Sequence, residues 1–302
     1  MELIYFVYLE EEPLRIDKFL VSEIDEISRS LIQIYIKDNH VLVNDKVVKA
    51  NYILKKGDEI SVTIPDPVSY DIIAQDIPLD IYYEDNDVIV INKPTGMVVH
   101  PAVGNYQNTL VNALMFHCHD LSGINGVIRA GIVHRIDKDT SGLLVACKND
   151  LAHKNLSEQF FRKTILRKYY AIVYGVINHN VGRIEAPIGR NMTYRQQMAV
   201  VEQGKPAVTN FKVLERFKKY TYVELSLETG RTHQIRVHMQ YIGYPLVGDT
   251  VYGPKHVIGE TGQFLHAKSL GFIHPRTKEY LEFDSPLPQY FEDFLNEIRQ
   301  EE

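Results

Sequence analysis

The stretch GIVHRIDKDTSGLLVACKND, residues 131–150, decides how this chain is read. Ile132 and Val133 open it and Leu143 to Ala146 close it. Both apolar runs read as buried strands. Between them Asp139-Thr140-Ser141-Gly142 has the composition of a turn. A carboxylate, Asp137, thus lies beside a guanidinium, Arg135, on a short loop anchored at both ends in the core. Chemistry concentrates on loops that a rigid scaffold holds in place. For these two residues alone, a structural Asp-Arg pair tying a β-turn is the plainer reading. The rest of the chain decides.

A length of 302 residues suits two domains, one small and one larger. Hydrophobic content of 45% and charged content of 24% place it among ordinary globular proteins. No apolar run is long enough to span a bilayer. The start, MELIYFVYLEEEP, is apolar and then acidic, without the basic flank and small-residue cleavage site of a signal peptide. Cys118 and Cys147 make no pattern. A cytoplasmic, monomeric protein with no membrane partner is expected. The net charge of −6 argues mildly against a nucleic-acid partner. Acidic residues collect near the ends, however, and the local field over a cleft matters more than the total. There is no internal repeat and no low-complexity segment.

Residues 13–67 read as a compact module. Ile16, Phe19, Leu20, Ile24 and Ile27 recur at helical spacing. Ser28 or Ser30 can cap a second helix whose Leu31, Ile34 and Tyr35 share a face. Val41-Leu42-Val43, a turn at Asn44-Asp45-Lys46 and Val47-Val48 spell a β-hairpin. Lys55 to Asp58 turns into the alternating strand Ile60, Val62, Ile64, and Pro65 and Pro67 break the pattern as at a linker. Arg15, Lys18, Arg29 and Lys37 could line one phosphate-contacting face. Because Asp17, Glu23, Asp25 and Glu26 lie close by, charge alone does not separate this from a solvated face with intrahelical pairs.

Residues 76–302 carry the remaining motifs. Asp87 to Lys93 is a strand running into the turn Lys93-Pro94-Thr95-Gly96. Thr109 to Cys118 has helical spacing. The cluster His117-Cys118-His119-Asp120 lacks a second ligand group at zinc-like spacing, so no metal is expected. Leu151 to Lys163 is an amphipathic helix with Leu151, Leu156, Phe160 and Phe161 inward. In the strand Arg167 to Gly175, Tyr169 and Tyr170 point to opposite faces. Tyr220 to Leu227 alternates, with Thr221, Val223, Leu225 and Leu227 on one face. In Gly230-Arg231-Thr232-His233-Gln234-Ile235-Arg236, Gly230 ends that strand and Thr232 can cap a helix that Gly243 and Pro245 stop. His233 and His238 are five apart and do not pair for metal ligation. Pro286 to Arg299 closes the chain as an amphipathic helix.

Taken together, NKPTGMVVHP, HRIDKDTSGLL, RKYYAIVYG and TGRTHQIRVH resemble, in order, the motifs of the RNA pseudouridine synthases of the RluA family. Arg190 to Thr209 is similar to the connecting segment of the RluD-like branch. Arg15, Asp17, Phe19, Leu20, Ser28-Arg29, Val41 to Asn44 and Gly57-Asp58 resemble an S4-like RNA-binding domain. Asn39-His40 departs from it, where a glycine is usual, though Asn tolerates the left-handed backbone. The resemblance implies an α+β protein. A small N-terminal αL-type (S4-like) domain would precede a catalytic domain built on a mixed, largely antiparallel sheet with flanking helices.

It implies isomerisation of specific uridines in structured RNA, most naturally large-subunit ribosomal RNA or a ribosomal precursor particle. The same reaction on transfer RNA and a non-catalytic RNA-binding protein of this fold are the alternatives. A glycoside hydrolase, which needs two carboxylates flanking a sugar, ranks last. In the family the glycosidic bond to nitrogen is cut, the base rotates, and a bond forms to the fifth ring carbon, without a cofactor. Asp137 takes the place of the catalytic carboxylate, acting on the sugar, the base or a sugar proton. Arg236 takes the place of the arginine that pairs with it and would favour its charged form. Tyr169 would stack on the base or assist proton removal. Arg231 and Arg135 would contact RNA, and the roles of Arg231 and Arg236 could be exchanged.

Overall fold

Alternation along the segment before the proline-rich stretch buries Ile60 and Val62 and turns Ser61 and Thr63 the other way. The computed structural model describes all residues except 1, 25–28, 65–71, 102–104, 125, 127, 128, 195, 196, 260 and 302, and leaves the side chains of residues 2, 29–31 and 64 outside the description. The chain divides into two units, Met1–Tyr70 and Asp71–Glu302.

The first unit runs β1 (Glu2–Val7), β2 (Leu14–Arg15), α1 (Ile16–Glu23), α2 (Arg29–Lys37), β3 (Val41–Val43), β4 (Lys46–Val47), β5 (Ile53–Leu54) and β6 (Glu59–Ile64). Four strands pair antiparallel in the order β1-β6-β3-β4, and β2 pairs with β5. Asn44 and Asp45 both have positive φ (49° and 60°), the geometry of a two-residue hairpin turn. Asn39 takes the left-handed conformation expected there, at φ 63°. Ile16 and Leu20 pack on Ile32, Ile36, Val41, Val43, Ile60 and Val62.

The apolar N-terminus, to which the sequence assigned no element, adds strand β1 beside β6. One expectation needs correction. Helix α2 buries Ile32 and Ile36, whereas Ile34 is 51% exposed. The i, i+4 pair sets the inward stripe, and Ile34 lies half a turn off it. Arg15, the residue ahead of α1, donates from Nε and Nη2 to Asp17, at 3.0 and 2.9 Å, a buried carboxylate in the first turn of that helix. Ile27, Ser28, the linker prolines, and the side chains of Arg29, Ser30 and Leu31 lie outside the described residues.

The second unit runs β7 (Ile81–Glu84), β8 (Val88–Lys93), α3 (Leu110–His117), β9 (Ser141–Cys147), α4 (Asp150–Arg162), β10 (Leu166–Tyr174), β11 (Val181–Glu185), β12 (Ile188–Arg190) and β13 (Met198–Val200). It continues with β14 (Val208–Arg216), β15 (Tyr220–Leu227), α5 (Gln234–Tyr241), β16 (Leu265–Ile273), β17 (Tyr280–Asp284) and α6 (Gln289–Gln300). The main sheet has the order β11-β14-β15-β10-β16-β9-β8-β7. β17 pairs with β16 off that path, and β12 pairs with β13 separately. Among the described residues every strand pair is antiparallel except β9 with β16, which is parallel over two residues, Ser141↔His266 and Gly142↔Ala267. The sheet is therefore mixed and largely antiparallel, as expected.

Both faces of the sheet are covered, which is why β9 is buried along its whole length. Leu144 and Ala146 point into the core beneath α3 and α5. Leu143 and Val145 point into the core shared with Ala152 and Leu156 of α4. Tyr169 belongs to the first core, while Tyr170 packs beside Phe291, Phe294 and Leu295 of α6. No helix of the described residues is long and apolar enough to cross a membrane.

Two local expectations fail here. Ile132 makes only an isolated bridge to Ala146, and no strand precedes the loop. His134 replaces the ladder: its Nε2 accepts the Val145 N–H at 3.0 Å. In α4, Ala152, Leu156 and Phe160 form the inward stripe, whereas Leu151 is 48% and Phe161 86% exposed. Each lies one position beside the i, i+4 row.

Gly142 sits where the parallel junction forms, at φ 115°. A Cβ there would stand 2.3 Å from the Ala267 carbonyl oxygen and 2.5 Å from its nitrogen. Backbone cannot swing aside as a side chain end can. Gly142→Ala is therefore expected to destabilise the protein by about 3 kcal/mol or more, read as the midpoint of denaturant unfolding. An unchanged midpoint would show that the junction is loose.

Candidate active site

The loop 134–140 is pinned from three directions. His134 holds it to β9, and its ring stacks on Phe160 at 4.6 Å between centroids. Burial, with Arg167 nearby, pushes the His134 imidazole down to about 3, so it stays neutral and its Nδ1 carries the proton. From below, the fully buried Lys93 donates through Nζ to the carbonyls of Pro94, Met97 and Lys138 at 2.7, 2.8 and 2.9 Å. Burial pushes Lys93 down to about 7, against Asp139 and Asp137. Three carbonyl acceptors match the three N–H groups of the ammonium form. From the side, the Thr95 hydroxyl donates to the Asp139 carbonyl at 3.2 Å. The NKPTG turn thus packs against the loop.

Asp137 leaves this loop with its side chain 18% exposed and meets Arg236 from α5. Arg236 Nη1 donates to Asp137 Oδ2 at 3.1 Å. The rest of the guanidinium is bound by Asp249: Nε to Oδ2 at 2.7 Å and Nη2 to Oδ1 at 2.9 Å. Asp249 is buried, and its Oδ1 also accepts the N–H groups of Val251 and Tyr252 at 2.9 and 3.0 Å. Burial alone would raise the Asp249 carboxyl, but Arg236 and these N–H donors hold it below the usual carboxylate range. Burial works against the charge on Arg236, yet Asp249 and Asp137 keep it more firmly protonated than an ordinary arginine. The Tyr252 ring lies beneath the guanidinium, 4.9 Å from its carbon.

Helix α5 presents Arg236 through an unexpected start. Thr232 does not cap it. The N-cap is His233, left-handed at φ 55° and without a side-chain cap bond. The buried Gln234 does the work instead, accepting the Arg231 N–H at 3.0 Å and the Thr229 hydroxyl at 2.7 Å. His233 and His238 face different ways: His233 Nδ1 meets the Tyr252 hydroxyl at 2.8 Å, and His238 is buried between Thr209 and the Ala186 carbonyl.

Asp137, Tyr169, Arg135, Arg231, His233 and Arg236 all line one cleft of about 670 Å³. Of the residues singled out from the sequence, Asp137, Tyr169 and Arg236 come together on its floor. Tyr169 is buried, and burial raises its hydroxyl, leaving a neutral phenol. Arg135 is exposed, with Nη1 3.4 Å from His100 Nε2. Arg231 donates to the Pro206 carbonyl at 3.0 Å, so Arg236 and not Arg231 pairs with Asp137. Arg129, Lys163 and Arg167 also line the cleft, which gives it a basic wall in a net acidic chain. In the other unit, Lys18 and Lys37 are exposed.

Sequence reasoning assigned no role to Asp249, Tyr252 or Lys93, although Gly248 to Gly253 continues the family resemblance. The available signal for Asp249 was an Asp directly after Gly248 in a segment closed by Gly253. Among the described residues, metal-ligating types gather twice, as Glu84, His117 and Cys118 and as Asp85, Asp87 and His274. Both groups are ion-pair networks. Glu84 accepts from Lys148 at 2.9 Å, and Asp87 from Arg276 at 2.7 Å through each oxygen.

Comparison with known proteins shows the family. Residues 87–241 match the family model described as RNA pseudouridylate synthase, and residues 14–60 match the S4 domain. The "Uncharacterized RNA pseudouridine synthase YlyB" of Bacillus subtilis is 57% identical over 291 residues, covering 96% of each chain. The "Ribosomal large subunit pseudouridine synthase D" of Pseudomonas aeruginosa is 44% identical, over 95% of this chain and 92% of the relative. Among solved structures, human RNA pseudouridylate synthase domain containing 1 superposes with a TM-score of 0.56 at 27% identity, covering 78% of this chain and 98% of the other. The motifs, the sheet and these similarities agree: the chain belongs to the RNA pseudouridylate synthase family, with an S4 domain ahead of the synthase unit.

Proposed function

We propose that this enzyme isomerises specific uridines in large-subunit ribosomal RNA, with Asp137 as the catalytic carboxylate. The observation that carries the reading is the Arg236–Asp137 contact at 3.1 Å on the floor of a cleft with a basic wall. The C1′–N1 bond breaks with its electron pair left on the base, C1′–C5 forms, the C5 proton is lost and N1 gains one. Asp137 is the group at the sugar or base, and Arg236 orients it. Tyr169, a buried neutral phenol, suits stacking on the flipped base better than accepting its proton. Arg135 and Arg231 take RNA phosphates or the space the base vacates. The ribosomal substrate is supported by relatives whose names specify the large ribosomal subunit. Mapping pseudouridine in RNA from cells lacking the protein tests it. Loss of sites in large-subunit ribosomal RNA is expected, and loss confined to transfer RNA would refute the substrate.

Arg15, Lys18, Arg29 and Lys37 are proposed to serve RNA binding from the S4 domain, with Lys18 and Lys37 the stronger members because Arg15 is engaged by Asp17. Deleting residues 1–70 is expected to weaken RNA affinity by about 10- to 100-fold and to flatten its salt dependence by about one unit of slope for each phosphate no longer bound. The single-turnover rate on saturating RNA should change far less. Equal affinities and slopes for both proteins would remove RNA binding from this unit.

A further inference from the structure

The hydrogen bonds around Tyr252 fix the proton on His233. The Met198 N–H donates to the Tyr252 hydroxyl oxygen at 2.9 Å. A backbone N–H can only donate, so that oxygen is an acceptor there. Tyr252 is buried, and burial raises its hydroxyl, so it keeps its own proton. That proton needs an acceptor, and the one the described residues offer is His233 Nδ1, 2.8 Å away. The reverse direction, with Nδ1–H donating, would leave a buried hydroxyl proton without a partner. His233 is then neutral with its proton on Nε2. Burial favours the neutral ring, and Arg236 and Arg135 add to this against Asp137 and Asp249.

Nε2 has no hydrogen-bond partner among the described residues and is not among their buried unsatisfied atoms, so it is open to the cleft that His233 lines. The ring is close to the chemistry through a chain of contacts. Asp137 bonds Arg236, Arg236 stacks on Tyr252, and Tyr252 holds His233. The residue is kept in a left-handed conformation, which a non-glycine residue takes at some cost and which clusters at functional sites.

We infer that His233 is a tautomer-locked donor whose Nε2–H binds a carbonyl oxygen of the target base. This rests on the reading that Asp137 acts on a uridine. A neutral single donor suits a carbonyl, whereas a phosphate is better met by the exposed Arg135. As C1′–N1 breaks, negative charge spreads onto the base oxygens, and a donor already aimed at one of them strengthens at that moment.

The test has two arms. First, ¹⁵N–¹H correlation spectra of the histidine-labelled protein near neutral pH should show His233 protonated at Nε2 and bare at Nδ1. A proton on Nδ1, or on both nitrogens, overturns the proposal. Second, tritium release from a large-subunit ribosomal RNA transcript carrying [5-³H]uridine is followed in single turnover. His233→Ala should lower the rate by about 10²- to 10³-fold with RNA affinity nearly unchanged. His233→Gln, whose amide N–H can replace Nε2–H, should restore most of it. Thermal melting checks that both variants fold. A full rate in the alanine variant, or an equal loss in both, overturns the donor role. A wild-type protein that releases no tritium would instead overturn the underlying function, and the spectra would still decide the tautomer.

Discussion

Asp137→Asn is expected to abolish pseudouridine formation while leaving RNA binding and folding nearly intact. The amide keeps the shape of the side chain, and its oxygen can still accept from Arg236 Nη1, as Oδ2 does at 3.1 Å. Charge and nucleophilicity are lost. A group that only moves protons contributes about 10²–10⁴-fold. A carboxylate that bonds to the substrate or carries its charge should cost several powers of ten more. If Asp137 were only a turn residue, its replacement would cost about 1 kcal/mol and activity would follow the folded fraction. Asp139→Asn is the control, in the same loop but away from Arg236. Pseudouridine formation on a ribosomal RNA transcript, with thermal melting of each variant, separates the cases. A well-folded Asp137→Asn protein with near-normal turnover would falsify the assignment.

Arg236→Met should be the most damaging substitution, because it harms both fold and site. Asp249, fully buried at its side chain, would lose both guanidinium bonds. Removing one partner of a buried ion pair costs about 3–5 kcal/mol. The double variant Arg236→Met with Asp249→Asn, which removes the buried charge while its amide oxygen still accepts from Val251 and Tyr252, should regain part of that stability and none of the activity, since nothing would orient Asp137. The pH dependence has a definite sign. In the wild type the Asp249 carboxyl is held below its unfolded value. Its contribution is therefore present above the ordinary carboxylate range and is lost as pH falls through the folded-state value. In Arg236→Met, burial without the guanidinium raises that carboxyl, so the deficit should shrink on acidification. Melting temperatures from pH 7 to pH 4 measure this. A deficit that grows on acidification, or a double variant that turns over RNA, would contradict the role given to Arg236.

The elements that local patterning specifies were legible in the sequence. The β3–β4 hairpin needs two residues that accept positive φ, and Asn44-Asp45 supplies them. The strand β15 alternates, and its register follows. The motif residues Asp137, Tyr169 and Arg236 were legible by resemblance, and the fold brings them into one cleft. What was not legible depends on contacts between distant segments. Asp137 and Arg236 are 99 positions apart, and Asp249 binds Arg236 from 13 positions further on, a contact that the turn's composition alone does not specify. Lys93 reads as the polar end of a strand, yet the carbonyls of two other turns close over it. Phe161 and Leu151 look like core residues, but only the exact helical phase, set by what packs beneath α4, decides which apolar residue turns inward. The missing strand at Ile132 has the same cause: one histidine side chain takes the backbone N–H that a strand would have used.

The two-residue parallel junction between β9 and β16 also bears on synthesis from the ribosome. The loop with Asp137 leads into β9, while Tyr169 and Arg236 come from segments made later, and the junction closes only when His266 and Ala267 have been added. A chain emerging N-terminus first completes its first unit long before this. Until translation has passed Ala267, no strand ladder joins β9 to β10 and the strands that lead into α5. The main sheet is therefore continuous only after nearly nine-tenths of the chain, 267 of 302 residues, has been made, long after the S4 domain has its own strands.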